Sequence, residues 1–157
     1  MHALTAVALT VASLTAAGCS TGGTVDASQV EKGIKNDLSS VADVKSAKCP
    51  SDVKSKAGAT FTCDVTFGTG ATGKAAVTES SLKSFTYELD QSSVHMRGST
   101  AAAQILTALE RQGVHNAVVR CPATISVRLH TAVTCGGVTF AFSSEDGTVD
   151  PNSVKTS

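Results

Sequence analysis

The sequence predicts an α+β fold of two tandem repeats, each a short helix followed by a three- or four-stranded antiparallel sheet with one internal disulfide. A Cys-Pro pair followed by a second cysteine occurs twice at the same spacing, from Cys49 to Cys63 and from Cys121 to Cys135. Each Cys-Pro follows a segment with helical periodicity. Each also precedes residues that alternate between apolar and polar, as in a half-buried strand.

The composition is that of a globular protein. Of 157 residues, 41% are apolar and 17% are charged, which suits one domain or two small ones. Modules this small commonly need a covalent cross-link to fold stably. The formal net charge is zero, and no basic stripe is present, so we expect no nucleic-acid partner.

Residues 1–18 are predicted to be a lipoprotein signal peptide. The apolar run over residues 3–14 would form a helix of only about 18 Å, shorter than a membrane core. Ala16-Ala17-Gly18-Cys19 resembles a bacterial lipobox, in which the cysteine receives the lipid. An ordinary secretory signal is the alternative, because Ala16 and Gly18 also satisfy a small-x-small cleavage rule.

The cysteine count favours the lipoprotein interpretation. Four of the five cysteines pair by spacing, which leaves Cys19. A free exposed thiol would be a liability in an oxidising compartment, and lipidation would account for it. We therefore expect an exported protein whose Cys19 anchors it to the outer face of the cell membrane. Residues 19–27 are expected to be a flexible tether.

The first repeat is predicted over residues 28–90. Ser28 and Glu31 match a capping box at the start of its helix. The apolar stripe of this helix consists of Val30, Ile34, Leu38 and Val41. Glu31 and Lys35 are spaced for an ion pair on the opposite, solvated face. Strands are predicted over residues 59–67, 75–79 and 85–89, with a turn at residues 68–70.

A connection is predicted over residues 91–98, followed by the second repeat over 99–149 and a polar tail over 150–157. Ser99 or Thr100 would cap the second helix, and Gly113 would end it. Its predicted apolar face consists of Ala102, Ile105, Leu106 and Leu109. Strands are expected over residues 125–129 and from residue 131, with a β-bulge at Gly136-Gly137. A third strand is either missing here or supplied by the first repeat.

The four remaining cysteines allow three pairings. Equal spacing favours Cys49–Cys63 and Cys121–Cys135, each closing a loop of about fifteen residues worth about 3 kcal/mol. The alternative of a zinc site is less favoured, because zinc ligands usually come as closely spaced pairs such as Cys-x2-Cys, which this chain lacks.

The sequence predicts no catalytic, cofactor or metal site and hence no enzyme. The four histidines, His2, His95, His115 and His130, lie in no recognisable metal or catalytic motif, and His130 is expected on an outward face. The glycine-rich residues 68–73 are interpreted as a hairpin loop, because no helix follows them as it does in a phosphate-binding loop.

A known family shares the pattern of the first repeat. An exported leader ending in Cys19, a helix led by Val30-Glu31, then Cys49-Pro50 and residues 58–63 (GATFTC) resemble the lipoprotein-associated domain of unknown function common in actinobacteria. The second copy has His130 where this pattern has Gly58. The resemblance implies an envelope protein without known catalytic residues. A likeness of architecture alone links the tandem repeats to bacterial β-lactamase inhibitor proteins.

Together these features predict a lipid-anchored extracytoplasmic protein that acts as a non-enzymatic binding or accessory module. Its partners would be the membrane, through the anchor, and another envelope protein or wall component. The alternative is a carrier or sensor of a small apolar ligand, held in a cleft between helix and sheet.

Overall fold

The computed structural model describes residues 23–81 and 83–156, which form an α+β fold with two helices and antiparallel sheets. In chain order the elements are α1 (Ala27–Leu38), β1 (Val44–Lys48), β2 (Thr60–Phe67), β3 (Thr72–Ser81), β4 (Ser84–Arg97), α2 (Gly98–Arg111), β5 (Thr124–Ser126), β6 (Val133–Cys135), β7 (Val138–Phe140) and β8 (Lys155–Thr156). The leader expected over residues 1–18, like Cys19, lies outside the described residues.

A five-stranded antiparallel sheet in the order β1-β2-β3-β4-β5 forms the centre of the fold. Side chains alternate between its faces, so one face is apolar and buried while the other is polar and exposed. The buried face of β2 and β3 carries Cys63, Val65, Phe67, Ala75 and Val77. The predicted turn after β2 is confirmed as a four-residue loop, residues 68–71, that closes a hairpin.

Helix α1 packs against β1 and β4 through Val30, Ile34 and Leu38, as its apolar stripe predicts. Val41 is an exception at 46% exposed. The helix ends at Leu38, so helical spacing no longer applies at residue 41, and Ala42 is buried instead. Helix and sheet approach closely at Gly33, where a Cβ would lie 2.0 Å from the Tyr87 hydroxyl oxygen.

The capping box predicted for α1 is wrong. The N-cap is Asp26, whose carboxylate accepts hydrogen bonds from the N–H groups of Ser28 at 3.0 Å and Gln29 at 3.3 Å. The hydrogen bond from the Ser28 hydroxyl helps to hold the pKa of Asp26 below its usual value. Glu31 instead accepts a hydrogen bond from the Cys49 N–H at 3.0 Å and so ties the helix to the first disulfide.

Strand β4 continues through residues 91–97, where the sequence suggested a connection. The polar residues there form a bulge, since Thr72 pairs with His95 whereas Lys74 pairs with Asp90. Two residue steps in β3 thus face five in β4. Asp90 stabilises the bulge by accepting hydrogen bonds from the Ser92 N–H at 3.0 Å and hydroxyl at 2.6 Å, which lower the pKa of Asp90.

Helix α2 follows β4 directly, beginning at Gly98 after Arg97, which makes no side-chain cap. The caps predicted at Ser99 and Thr100 are therefore wrong. Its buried residues are Gly98, Ala101, Ile105, Ala108 and Leu109. The predicted stop is confirmed: Gly113 has φ +83°, its N–H donates to the Glu110 carbonyl at 3.0 Å, and the Val114 N–H donates to the Leu109 carbonyl at 2.9 Å. This is a Schellman motif.

The second repeat divides between two sheets. Its first strand, β5, pairs with the end of β4 and thereby joins the sheet of the first repeat. Strands β6, β7 and β8 form a separate three-stranded sheet. Gly136 and Gly137, with φ of +53° and +85°, form the tight turn between β6 and β7, not a bulge within one strand.

The residues expected as a polar tail belong to the folded body. Val154 is 4% exposed, and Lys155 pairs with Thr139 of β7. The side chain of Gln112, the residue after α2, donates to the Pro151 carbonyl at 3.0 Å and helps to hold this segment. A single apolar core includes residues of both repeats.

Candidate functional site

Both predicted disulfides are present. Cys49 and Cys63 have Cα atoms 4.4 Å apart, and Cys121 and Cys135 have Cα atoms 4.5 Å apart. The first bond joins neighbouring strands, because Lys48 and Asp64 beside it form a backbone pair of β1 and β2. The second joins the last residue of β6 to a segment outside the named strands.

The N-terminal segment is fixed to the body from Gly23 onward. The Gly23 carbonyl accepts a hydrogen bond from the Ser55 N–H at 2.8 Å, and the Val25 N–H donates to the Val53 carbonyl at 2.8 Å. Thr24 and Lys54 form an antiparallel bridge between these bonds. Residues 23–27 are thus part of the body and not of the expected tether. Only residues 20–22 separate Cys19 from it.

A buried carboxylate organises the surface where this segment enters. Glu79 is 0% exposed and accepts hydrogen bonds from the Ser55 hydroxyl at 2.6 Å, the Lys56 N–H at 2.9 Å and the Lys83 N–H at 3.4 Å. The bond from Ser55 contributes most to lowering the pKa of Glu79, against the opposing effect of burial. This carboxylate fixes the segment after β1 to the turn between β3 and β4. We call Gly23, Thr24, Lys54, Lys56 and Lys83 the exit face.

The exit face lies at one end of the five-stranded sheet. Ser84, the first residue of β4, pairs with Ser81 beside this face. At the other end of β4, His95 pairs with Thr72 and Ser126. The ends of this 14-residue strand lie more than about 30 Å apart, even allowing for its bulge. The sheet therefore separates the exit face from a distal end.

A second buried carboxylate, Asp146, joins the two repeats at the distal end. It is 6% exposed and accepts hydrogen bonds from the Thr148 N–H at 2.9 Å and the Asp43 N–H at 3.3 Å, and from the Ser144 hydroxyl. The Asp146 carbonyl accepts a hydrogen bond from the Thr69 hydroxyl. Burial alone would raise the pKa of Asp146, but these hydrogen bonds outweigh it and lower the pKa.

Residues 112–123, here called the distal loop, contain two exposed valines. Val114 is 39% and Val118 is 74% exposed, and no named helix or strand includes either residue. The loop ends at the distal end of the sheet, where the Gly98 N–H donates to the Ala123 carbonyl at 2.9 Å. Its last part is covalently held by Cys121. The loop thus displays apolar side chains on a fixed base.

Two surface depressions bear on ligand binding. One of about 250 Å3 lies beside the exit face and is lined by residues including Val25 and Phe85. Another, of about 410 Å3, lies along β4 and is lined mainly by polar residues such as Glu88 and Ser92. The interface between α1 and the sheet is occupied by the half-buried Tyr87, whose pKa is raised by burial and by Asp37.

The remaining chemistry-bearing residues are dispersed in the described part of the chain. His130 is exposed, as expected, but has φ +53° and lies in a turn beyond β5. No three His, Cys, Asp or Glu residues within 23–81 and 83–156 are placed to hold a metal ion. Neither helix there combines the length and hydropathy that a membrane-spanning helix requires.

Sequence reasoning missed Glu79, Asp146 and the exit face. The strand pattern contained a signal for Glu79, because residue 79 lies on the same inward face of β3 as Ala75 and Val77. For Asp146 the short Ser144-x-Asp146-x-Thr148 pattern indicates only a local turn. Asp146 and Asp43 are 103 positions apart in the chain, so no local pattern predicts the hydrogen bond between them.

Comparison with known proteins finds a family model that matches part of the chain. No curated protein and no solved structure matches the chain. The family match begins within the apolar leader, includes Cys19 and the first disulfide, and ends in the turn before β4. It thus confirms the expected domain of unknown function over the first repeat. A domain of unknown function (DUF4333) is found at residues 8–83 of this chain.

Proposed function

We propose that the chain is a lipid-anchored, extracytoplasmic protein that acts as a non-enzymatic binding or accessory module of the cell envelope. The observation that carries the proposal is the pair of disulfides, Cys49–Cys63 and Cys121–Cys135. Stable structural disulfides are typical of exported proteins. They use four cysteines and leave Cys19, which follows a signal-like leader, for lipidation.

Two further observations support the anchor. The family match begins at residue 8, so the leader and Cys19 belong to the matched pattern. Gly23, four positions after Cys19, is hydrogen-bonded to the body, so a lipid on Cys19 would hold the body close to the membrane surface. The finer assignment to an actinobacterial lipoprotein family is part of this proposal.

The binding role is supported by the distal loop. Val118 has the largest exposure among the large apolar residues of the described chain, at 74%. An exposed apolar side chain on a covalently held loop can enter a pocket of a partner at low cost in entropy. The distance of this loop from the exit face would place it away from the membrane. We therefore propose another envelope protein as its partner.

The alternative of an apolar-ligand carrier has less support. A carrier needs an enclosed apolar cavity. In this fold the Tyr87 ring packs against Gly33, where the helix–sheet cleft would have to open. Binding of a fluorescent fatty-acid probe to the isolated protein, in competition with unlabelled lipid, would favour the carrier over the binding module.

The anchor is tested by fractionation of cells that express the full chain or its Cys19→Ala variant. We expect the unchanged chain in the membrane fraction and Cys19→Ala in the soluble fraction, with Ser20→Ala as the matched control that stays in the membrane. Intact mass should show the lipid on the unchanged chain and on Ser20→Ala but not on Cys19→Ala. The mass of the non-reduced protein should also be lower than that of the reduced protein by four hydrogens, because the disulfides Cys49–Cys63 and Cys121–Cys135 each remove two. A Cys19→Ala variant that stays in the membrane would contradict the proposal.

The binding role is tested by photo-crosslinking in the intact envelope. A photoreactive residue at position 118 should capture an envelope protein, whereas the same residue at the exposed Ala57, near the exit face, should not. Val118→Ser should weaken recovery of the same partner. Equal capture from both positions would argue against a specific distal surface.

A further inference from the structure

The exit face carries three lysines whose backbones are held in place. Lys54 bridges Thr24 in the N-terminal segment. The N–H groups of Lys56 and Lys83 both donate to the buried Glu79 carboxylate, at 2.9 Å and 3.4 Å, so these residues lie side by side. All three residues are exposed. The fold therefore brings three exposed lysines together near Gly23.

These ammonium groups are not neutralised by ion pairs. The salt bridge found within residues 23–81 and 83–156 joins Lys74 to Asp64 on the outer face of the sheet, at 2.8 Å. Of the acidic residues near the exit face, Glu79 is buried and uses its carboxylate internally, and Asp26 caps α1. Asp26 and Asp52 are exposed acids on this side. The exit face thus presents three lysines beside two exposed acids, one of which uses its carboxylate to cap α1.

The chain between this face and Cys19 is very short. From Cys19 to Gly23 there are four residue steps, which span at most about 14 Å when fully extended. A lipid on Cys19 places that residue at the level of the headgroups. This span is an upper limit, and a linker that is not fully extended would bring the exit face within about one Debye length (about 8 Å) of the headgroup charges, where attraction is effective. A protein partner would have little room to enter this gap.

We infer that the exit face rests on the membrane, with Lys54, Lys56 and Lys83 bound to the phosphates of anionic phospholipid headgroups. This inference rests on the proposed lipid anchor at Cys19. The anchor brings the face to the bilayer, and the lysines select the orientation of the body. In that orientation β4 runs away from the membrane, and the distal loop is held more than about 30 Å above the exit face.

Lysine labelling of the lipidated protein in vesicles tests this inference. The protein is reconstituted on the outside of vesicles of phosphatidylglycerol and phosphatidylcholine, treated briefly with an amine-reactive acetylating reagent, and digested for mass spectrometry. Lys35, Lys45 and Lys155, which are also exposed but lie off the exit face, serve as matched internal controls. We expect Lys54, Lys56 and Lys83 to react about fivefold more slowly than the controls, the factor for one lysine near an anionic surface.

This protection should disappear in pure phosphatidylcholine vesicles and at 1 M NaCl, because both remove the electrostatic attraction. Equal labelling of all six lysines in anionic vesicles, or protection that salt does not reverse, would overturn the membrane-facing assignment. Flotation of the same sample measures membrane association and so tests the anchor separately. If the protein floats with the vesicles but its lysines react equally, the assignment of the exit face to the membrane is wrong and the lipid anchor is retained. If the protein carries no lipid mass and does not float, both fail.

Discussion

The two disulfide-bounded segments have the same cysteine spacing but different backbone structures. In the first repeat, Cys49 and Cys63 extend the pairing of β1 with β2, and Cys63 and Val65 lie in one strand. In the second repeat, Cys135 ends β6, and Val138 begins β7 beyond a two-glycine turn. The same cross-link thus reinforces a sheet in one repeat and closes a loop in the other.

This difference shows which part of each repeat depends on its disulfide. Backbone pairing holds β1 against β2 in addition to the Cys49–Cys63 bond. Within the distal loop, residues 115–121 belong to no named helix or strand, so the Cys121–Cys135 bond has a larger share in fixing the loop. The repeated cysteine spacing therefore predicts the covalent bond but not the structure around it.

The largest effects are expected from removing each disulfide. Cys49→Ala/Cys63→Ala and Cys121→Ala/Cys135→Ala should each lower the free energy of unfolding by about 3 kcal/mol, because both close loops of about fifteen residues. The change in local order should differ. Loss of either bond should raise exchange across the sheet through global unfolding, and loss of the second bond should in addition accelerate exchange in residues 112–123 through local opening.

Urea unfolding and hydrogen exchange by mass spectrometry measure these two quantities on the same samples. An exchange increase of the same extent and location in both double variants would contradict the proposed difference. The Cys19→Ala variant is the control for loss of a cysteine without loss of either disulfide.

The next largest effect is expected at the junction of the repeats. Gly98 begins α2, and a Cβ there would lie 1.8 Å from the Pro122 carbonyl oxygen. Because backbone atoms cannot move aside easily, Gly98→Ala should cost about 2 kcal/mol of stability. Gly23→Ala is the matched control, since nothing lies within 4 Å of a Cβ at that position. Equal unfolding midpoints in urea for both variants would show that the junction can open without cost.

The carboxylate that joins the repeats should have a smaller, pH-dependent effect. Asp146→Asn should lower the free energy of unfolding at pH 7 by about 1–3 kcal/mol, because donors such as the Asp43 N–H lose a charged acceptor. The folded-state pKa of Asp146 is lowered. Its stabilising contribution is therefore complete above the unfolded-state pKa of about 4 and is lost as the pH falls through the folded value.

Urea unfolding at pH 7 and at pH 3 separates this effect from packing. The stability difference between the unchanged protein and Asp146→Asn should shrink at the lower pH, whereas the exposed Asp52→Asn control should differ little at pH 7. A difference of the same size at both pH values would mean that the charge of Asp146 does not stabilise the junction.

The sequence predicts most of the local structure in the first repeat. Alternation identifies β2, and helical spacing identifies the buried residues of α1. Prediction fails at residues 91–97, where Asp, Gln and Ser resemble a linker but form a bulge stabilised by Asp90. It also fails at Gly136-Gly137, because two glycines suit a bulge and a tight turn equally well. Only the pairing of β6 with β7 shows that the two glycines form a tight turn and not a bulge.

The candidate surfaces were less predictable than the fold. The cysteine pairs follow from spacing, but the exit face unites residues from three separate segments, around Gly23, Lys54 and Lys83. Their proximity depends on the carboxylate of Glu79, which local patterns do not connect to Ser55 or Lys56. Likewise β5 joins the first sheet through tertiary pairing with β4. Long-range contacts of this kind leave no periodic signal in the chain.

The smallest effect is expected at the glycine of the other helix. A Cβ on Gly33 would lie 2.0 Å from the Tyr87 hydroxyl oxygen and 2.5 Å from its ring carbon Cζ. Unlike the backbone oxygen opposite Gly98, this obstacle is a side chain that can shift in part. Alanine also gains about 1 kcal/mol of helix propensity over glycine. Gly33→Ala should therefore lower the free energy of unfolding by no more than about 1 kcal/mol.

Removing the tyrosine should reverse the sign of this effect. In a Tyr87→Ala background nothing opposes the new methyl group, so Gly33→Ala should stabilise the protein by up to about 1 kcal/mol through helix propensity alone. Urea unfolding of the four members of this double-mutant cycle measures the coupling between the two positions. If Gly33→Ala destabilised both backgrounds equally, the contact with Tyr87 would not explain why glycine is needed at position 33. The contrast between a side-chain obstacle at Gly33 and a backbone obstacle at Gly98 would then be wrong.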